Sequence, residues 1–219
     1  KRMKILIVSG FLGAGKTTFI KRLARNVDQR FAILENEYGA AGIDGARLGQ
    51  NRQGTQKNVW EMTEQCICCI GKKDFAASVL TIANVVDPEY LIVEPTGVGS
   101  LARIIENLRQ IEYERIQLLS PVTIVDVYSY RRYMAEYPEL YQDQIRSADT
   151  IIVSKTEACQ AEEKQRIQKF LQEINPQAKI ITDYASTMTR EDYQSLLLGG
   201  RYEKEVQDTQ SGEKMPDTF

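Results

Sequence analysis

Apolar residues in this chain fall in short unbroken runs, and between the runs they recur every three or four positions. The runs lie at 4–8, 31–35, 58–62, 90–94, 121–126, 150–154 and 178–182, each of strand length. A strand apolar at consecutive positions has both faces covered, the pattern of a parallel sheet between helices. The intervening stretches supply the helices. Leu101, Ile104, Ile105 and Leu108 make one stripe, with Ser100 placed to cap its start. Ile167, Phe170, Leu171 and Ile174 make a second, ended by Asn175-Pro176, and Phe75, Val79, Ile82 and Val86 a third, ended by Asp87-Pro88. All three read as core-facing surfaces. The expected fold class is α/β, with three layers, a mainly parallel central sheet and helices on both faces. Ligands of such folds sit beyond the carboxyl ends of the strands.

Residues 36–57 break the pattern: they lack periodicity and hold five glycines. Long aperiodic loops in compact domains tend to be functional. From Gly199 the chain turns polar, so residues 1–198 are expected as one domain and 199–219 as a tail. Composition adds exclusions. Lys and Arg number 28 against 30 Asp and Glu, which gives no electrostatic case for nucleic acid or an anionic membrane. No apolar run nears the roughly 18 residues of a membrane span, and the first strand run begins at residue 4. A cytoplasmic protein is expected. Three of the four cysteines crowd into Cys66-Ile-Cys68-Cys69, unlike a disulfide framework, and there is no histidine to serve as base or ligand.

The chemistry starts where the first run ends. Gly10-Phe-Leu-Gly13-Ala14-Gly15-Lys16-Thr17-Thr18 follows a strand and opens a helix, the G-x-x-x-x-G-K-T phosphate loop in its proper setting. Its glycines let backbone N–H groups approach phosphate oxygens, Lys16 reaches the β- and γ-phosphates, and the Thr17 hydroxyl suits Mg2+. The fold expected is thus that of a P-loop NTPase. Leu91-Ile-Val-Glu94-Pro-Thr-Gly97 ends another strand with an acid to support Mg2+ and a glycine whose N–H can sense the γ-phosphate. Ser154-Lys155-Thr-Glu157 ends a third, where guanine-specific proteins carry Asn-Lys-x-Asp. Glu157 can accept from the guanine N1–H and exocyclic amine while the Lys155 stem covers the ring. Ser154 lacks an asparagine's amide. GTP is expected over ATP, since pairing a polar edge can discriminate by about 10⁴-fold.

Three thiols within four residues suit a soft or borderline ion such as Zn2+. They leave one position of a tetrahedron to water, to Glu37 or Glu64, or to a partner, an openness that fits delivery better than structure. Buried structural cysteines and a redox-active pair are the competing accounts. Cys159 is assigned nothing. If residues 36–48 and 94–100 respond to Mg2+ and the γ-phosphate, hydrolysis would change the thiol geometry.

Taken together, the phosphate loop, Glu35-Asn-Glu37-Tyr-Gly39 with Gly42-Ile-Asp44-Gly45, Cys66-Ile-Cys68-Cys69, Glu94-Pro-Thr-Gly97 and Ser154-Lys-Thr-Glu157 resemble the CobW-type metallochaperone GTPases, relatives of the urease and hydrogenase nickel-insertion GTPases. The resemblance covers roughly residues 3–185. It implies slow GTP hydrolysis with Mg2+, a divalent metal (Zn2+, Co2+ or Ni2+) at the CxCC, and delivery to a client metalloprotein or cofactor pathway. It also implies Thr17, Asp44 and Glu94 as the Mg2+ shell and Glu37 as a switch acid, so that Lys16, Glu94, Gly97 and Glu37 form the catalytic set. Departures are Ala40 in place of a glutamate, Gln65 in place of a glycine, and the lack of the family's usual C-terminal domain and His-rich segment. Val98 stands where a water-orienting glutamine could, and Arg103 lies on a predicted helix, so turnover is expected to be feeble until metal, a second copy of the chain or a client stimulates it. Competing functions are a metal or redox module using nucleotide only structurally, an ATP-using P-loop kinase, and a chaperone for a corrinoid enzyme.

Overall fold

The computed structural model describes residues 2–29, 31–35, 59–63, 75–95, 97 and 99–203. The chain opens with β1 (Met3–Gly10) and α1 (Lys16–Asn26), then β2 (Phe31–Glu35) and β3 (Val59–Thr63), and returns through α2 (Phe75–Val85) to β4 (Tyr90–Glu94). Next come α3 (Leu101–Gln110), β5 (Ile116–Leu118) and β6 (Val122–Asp126). Two short helices, α4 (Tyr130–Glu136) and α5 (Pro138–Arg146), precede β7 (Thr150–Ser154), α6 (Ala161–Ile174) and β8 (Lys179–Ile181). The last helices are α7 (Tyr184–Thr187) and α8 (Arg190–Leu198).

The strands form one parallel sheet in the order β3-β2-β4-β1-β6-β7-β8, with β5 beside the start of β1. Each apolar run is divided by the pleat between two faces. Leu6, Val8, Ile92, Ile124 and Ile152 pack under α1, α7 and α8, through Phe19, Leu23, Tyr184, Tyr193 and Leu197. Ile5, Ile7, Leu34, Leu91 and Val93 pack on the other side against Val79 and Ile82 of α2 and Leu101, Ile105 and Leu108 of α3. Val125, Ile151 and Val153 carry that second face on to α4, α5 and α6. This is the three-layer α/β architecture expected, and its cause is the one argued: strands buried on both sides need helices on both sides.

Pro121 stands immediately before β6. It has no N–H for a ladder, so β6 starts at Val122, and its carbonyl accepts from the Asp149 and Thr150 amides at 3.1 and 3.3 Å. One edge of β1 is therefore shared: β5 pairs Met3–Ile5 and β6 pairs Val8–Gly10. The three residues of β5 were not anticipated. α3 begins as expected, with the Ser100 hydroxyl accepting from the Arg103 amide at 3.2 Å. The polar stretch after Gly199 is stitched to the sheet at its start. The Tyr202 amide donates to Leu118 at 2.9 Å, its hydroxyl donates to the Ser147 carbonyl at 3.1 Å, and Arg201 pairs with Glu112 at 3.1 Å. Burial raises the Tyr202 phenol to about 12. Among the described residues no helix is long and apolar enough to cross a membrane.

Candidate functional site

The carboxyl ends of β1, β4, β6 and β7 share one edge of the sheet, and the side chains that matter stand there. Between β1 and α1 the chain turns through Gly10, Gly13 and Gly15, all at positive φ. Gly10 also has no room for a side chain, since a Cβ would lie 2.6 Å from the Ile124 carbonyl oxygen. α1 starts at Lys16 with no side-chain cap and no acid in its first turn. Its N-terminal N–H groups and the positive end of its dipole are left for an anion. Lys16 is buried across this loop, its ammonium donating to the Gly10 carbonyl at 2.9 Å and the Phe11 carbonyl at 3.4 Å. Thr17 and Thr18 are exposed beside it.

The back of the loop is anchored. Phe11 is buried against Tyr133 and Tyr141, with ring centroids 4.7 and 4.9 Å away, and the Tyr133 hydroxyl donates to the Leu12 carbonyl at 3.1 Å. Burial pushes the Tyr141 phenol well above its ordinary range, helped by the nearby Asp126 charge. A phosphate loop needs this support, because backbone donors stabilise an anion only if they are already in place.

Glu94 ends β4 one strand away, and the Thr17 hydroxyl lies 3.3 and 3.5 Å from its two carboxylate oxygens. A hydroxyl and a carboxylate are hard oxygen donors of the kind Mg2+ prefers. The residues present fit that ion. Gly97 is pressed onto the phosphate loop: a Cβ there would sit 2.5 Å from the Leu12 nitrogen and 3.0 Å from the Phe11 carbonyl carbon. Glu94 and Gly97 thus meet the loop from the same side.

At β7 the hydroxyl of Ser154 donates to the Ala14 carbonyl at 2.5 Å, and the residue is buried. It ties the strand to the phosphate loop, a bond that requires a donor and not a full amide. Lys155 has φ 62° and its ammonium lies 2.6 Å from Asp126 Oδ2. Asp126, at the end of β6, also accepts from the Tyr128 amide at 2.8 Å and the Ser129 hydroxyl at 3.2 Å. Glu157 is exposed. Beyond β8, Asp183 takes φ 53° and its carboxyl is held below its ordinary range by the Lys164 ammonium, 2.7 Å away, and by the Thr156 hydroxyl. Asp126 and Asp183 were not anticipated. Asp126 had a signal: like Glu94 and Ser154, it is the last residue of an apolar run.

The expectations for Glu37, Asp44, Cys66, Cys68 and Cys69 lie outside the described residues. Cys159 precedes α6 and packs beside the cluster of α4, α5 and α6. Among the described residues no three acidic or cysteine side chains are gathered as a metal centre.

The sequence matches the CobW/HypB/UreG nucleotide-binding domain over residues 4–182. The zinc chaperone YeiR of Escherichia coli is 30% identical over 178 residues, covering 80% of this chain and 53% of the relative. The zinc chaperone CobW of Pseudomonas aeruginosa is 27% identical over 195 residues, 76% of this chain and 52% of the relative. The chain spans about half the length of the curated relatives it matches. Among solved structures, the Zn(II)-bound YjiA GTPase of E. coli superposes with a TM-score of 0.62 at 19% identity, over 94% of this chain and 67% of that one. The hydrogenase maturation factor HypB of Archaeoglobus fulgidus superposes at 0.58 and 19% identity, over 90% and 89%. At these identities the superpositions establish the fold.

Proposed function

Because the chain belongs to the CobW/HypB/UreG nucleotide-binding domain family, we propose that it binds GTP with Mg2+, hydrolyses it slowly, and couples hydrolysis to the delivery of a divalent metal to a client. One observation carries the nucleotide half. The uncapped start of α1, the buried Lys16 ammonium and the Thr17–Glu94 pair converge on the three glycines of one loop. Gly10, Gly13, Ala14, Gly15, Lys16, Thr17 and Thr18 hold the phosphates. Lys16 exchanges its two carbonyl acceptors for phosphate oxygens, a stronger charge-assisted pairing. Thr17 and Glu94, with Asp44, hold Mg2+, which supplies charge neutralisation at the phosphate oxygens. Gly97 offers its N–H from beside the loop, and Glu37 is the switch acid.

Ser154, Lys155 and Glu157 form the base side, in divided roles. Ser154 braces the phosphate loop through Ala14, Lys155 is steered by Asp126, and the exposed Glu157 is left to accept from a guanine edge. With no glutamine after Gly97, rate enhancement rests on preorganised donors and charge, which supports weak intrinsic turnover.

The metal half rests on chain geometry and on the relatives. Thr63, the last residue of β3, is in register with Glu35, which is in register with Glu94. Cys66 follows three residues later, and three residues of chain span at most about 11 Å. The chain that leads on to Cys66, Cys68 and Cys69 therefore departs from β3 at the same end of the sheet as the nucleotide loop. Zinc is the favoured cargo, as the relatives' names are those of zinc chaperones.

Calorimetry with GDP, a non-hydrolysable GTP analogue and ATP, alongside Zn2+ titration, tests both halves. Lys16→Ala is expected to weaken the analogue by about 10–100-fold, the worth of one or two charge-assisted hydrogen bonds, without changing zinc stoichiometry. Cys66→Ser should do the reverse. ATP binding as tight as the GTP analogue, or zinc binding indifferent to Cys66, overturns the corresponding half.

A further inference from the structure

One buried polar side chain reaches the Gly97 segment beside the phosphate loop without belonging to any motif. Gln144 is on α5 and is 1% exposed. Its amide nitrogen donates to the Gly97 carbonyl at 3.2 Å and to the Gly99 carbonyl at 3.0 Å, so both amide hydrogens are used on one loop. Its amide oxygen is buried with no hydrogen-bond partner among the described residues. Its main-chain carbonyl accepts the Thr123 hydroxyl at 2.9 Å, which locks this turn of α5 to β6.

The neighbouring residue grips the same segment. Asp143 Oδ2 accepts from the Leu101 amide at 2.7 Å and the Ala102 amide at 3.3 Å, closing the N-terminus of α3. Gly97, Gly99, Leu101 and Ala102 are thus fastened to two adjacent side chains of α5. Gly97, the first of these, has its backbone against the peptide joining Phe11 and Leu12. A carbonyl held by a buried amide fixes the plane of its own peptide, and so limits how the Gly97 backbone can turn beside the phosphate loop. Burying a glutamine oxygen without a donor is costly, and such a residue persists where the rest of its bonding is needed.

We propose that Gln144, seconded by Asp143, is a positioning residue that sets the Gly97 peptide relative to the phosphate loop and so determines how far the protein prefers GTP to GDP. It acts through Gly97 and touches no nucleotide. The inference rests on the GTP reading above.

The test is the ratio of affinities for guanosine 5′-(β,γ-imido)triphosphate and GDP, both with Mg2+, by calorimetry. Gln144→Met keeps the volume and removes the amide. It is expected to lower the analogue-to-GDP affinity ratio about tenfold, the worth of a net hydrogen bond or two, with GDP affinity within about twofold of wild type. An unchanged ratio, or equal loss of both nucleotides in a folded variant, overturns the proposal, because a merely structural glutamine would move both together. If Gln144→Met fails to fold, Asp143→Ala is read by the same ratio, and Asp143→Asn, which keeps an acceptor for Leu101, is expected to restore it. If the wild type binds neither ligand, the GTP reading itself has failed, a result distinct from an unchanged ratio.

Discussion

At the scale of single residues, the site shows how far a local motif can be read and where reading stops. The phosphate loop is a run of adjacent residues, so its spacing alone defines it, and Gly10, Gly13 and Gly15 adopt the positive φ that only glycine takes freely. Asp126, Asp143, Gln144 and Asp183 depend on partners 19 to 47 positions away in sequence, which no local motif spells out. Gln144 did leave a trace. It is the polar member of the buried set Tyr141, Gln144 and Ile145 on α5, and a polar residue in an apolar stripe asks for a partner. Asp183 carries a pH prediction. Lys164 and Thr156 hold its carboxyl below the ordinary range of about 3.8, so it stays ionised in the folded chain where the unfolded chain has already taken a proton. Its stabilisation is complete above roughly pH 4 and is lost as acid carries the group through its folded value. Urea midpoints measured from pH 3 to 6 should show wild type above Asp183→Asn near pH 6, with the two converging toward pH 3. A gap that stays constant across the range contradicts the assignment.

Elements were legible in proportion to how apolar and how long they are. All seven expected runs lie within a residue or two of the observed strands, β1 running on to Gly10. β5 has three residues and is a strand only because β1 has a free edge beside it. α4 and α5 bury Tyr130, Tyr141, Gln144 and Ile145, a stripe too aromatic and polar to stand out. Asn175 shows how one element finishes another. It was read as the stop of α6, and it is, yet its buried amide also donates to the Ile145 and Ala148 carbonyls at 2.8 Å each, closing the end of α5. Asn175→Ala removes those donors, which strips the Ala148 carbonyl of its side-chain partner and leaves the Ile145 carbonyl only the Ala148 amide at 3.4 Å. The expected loss is about 2–3 kcal/mol in urea denaturation, at the cost of one to three per unsatisfied group. Asn175→Asp, with acceptors in place of donors, should be no better. A variant within about 0.5 kcal/mol of wild type, the range of an ordinary surface change, would show that water replaces the amide.

For the whole molecule the parallel sheet is the organising fact. Every strand runs the same way, so the sequence positions just after β1, β2, β3, β4, β6 and β7 all leave from one edge. Glu94 is in register with Glu35, and Glu35 with Thr63, which puts the departures toward Glu37 and toward Cys66 next to the departure toward Gly97. A nucleotide and a metal held at one edge by connected segments cannot be energetically independent if either ligand changes those segments. Linkage then demands symmetry: whatever factor the GTP analogue imposes on zinc affinity, zinc must impose on analogue affinity, typically about 5–150-fold. The expected outcome is a matched pair of shifts, read by zinc titration with GDP or analogue bound and by analogue titration with and without zinc. Release on hydrolysis, as proposed, needs zinc to be held more tightly with the analogue than with GDP. The opposite sign would make the triphosphate state the releasing one. No shift in either direction would mean that the two ligands share an edge of the sheet without sharing a switch.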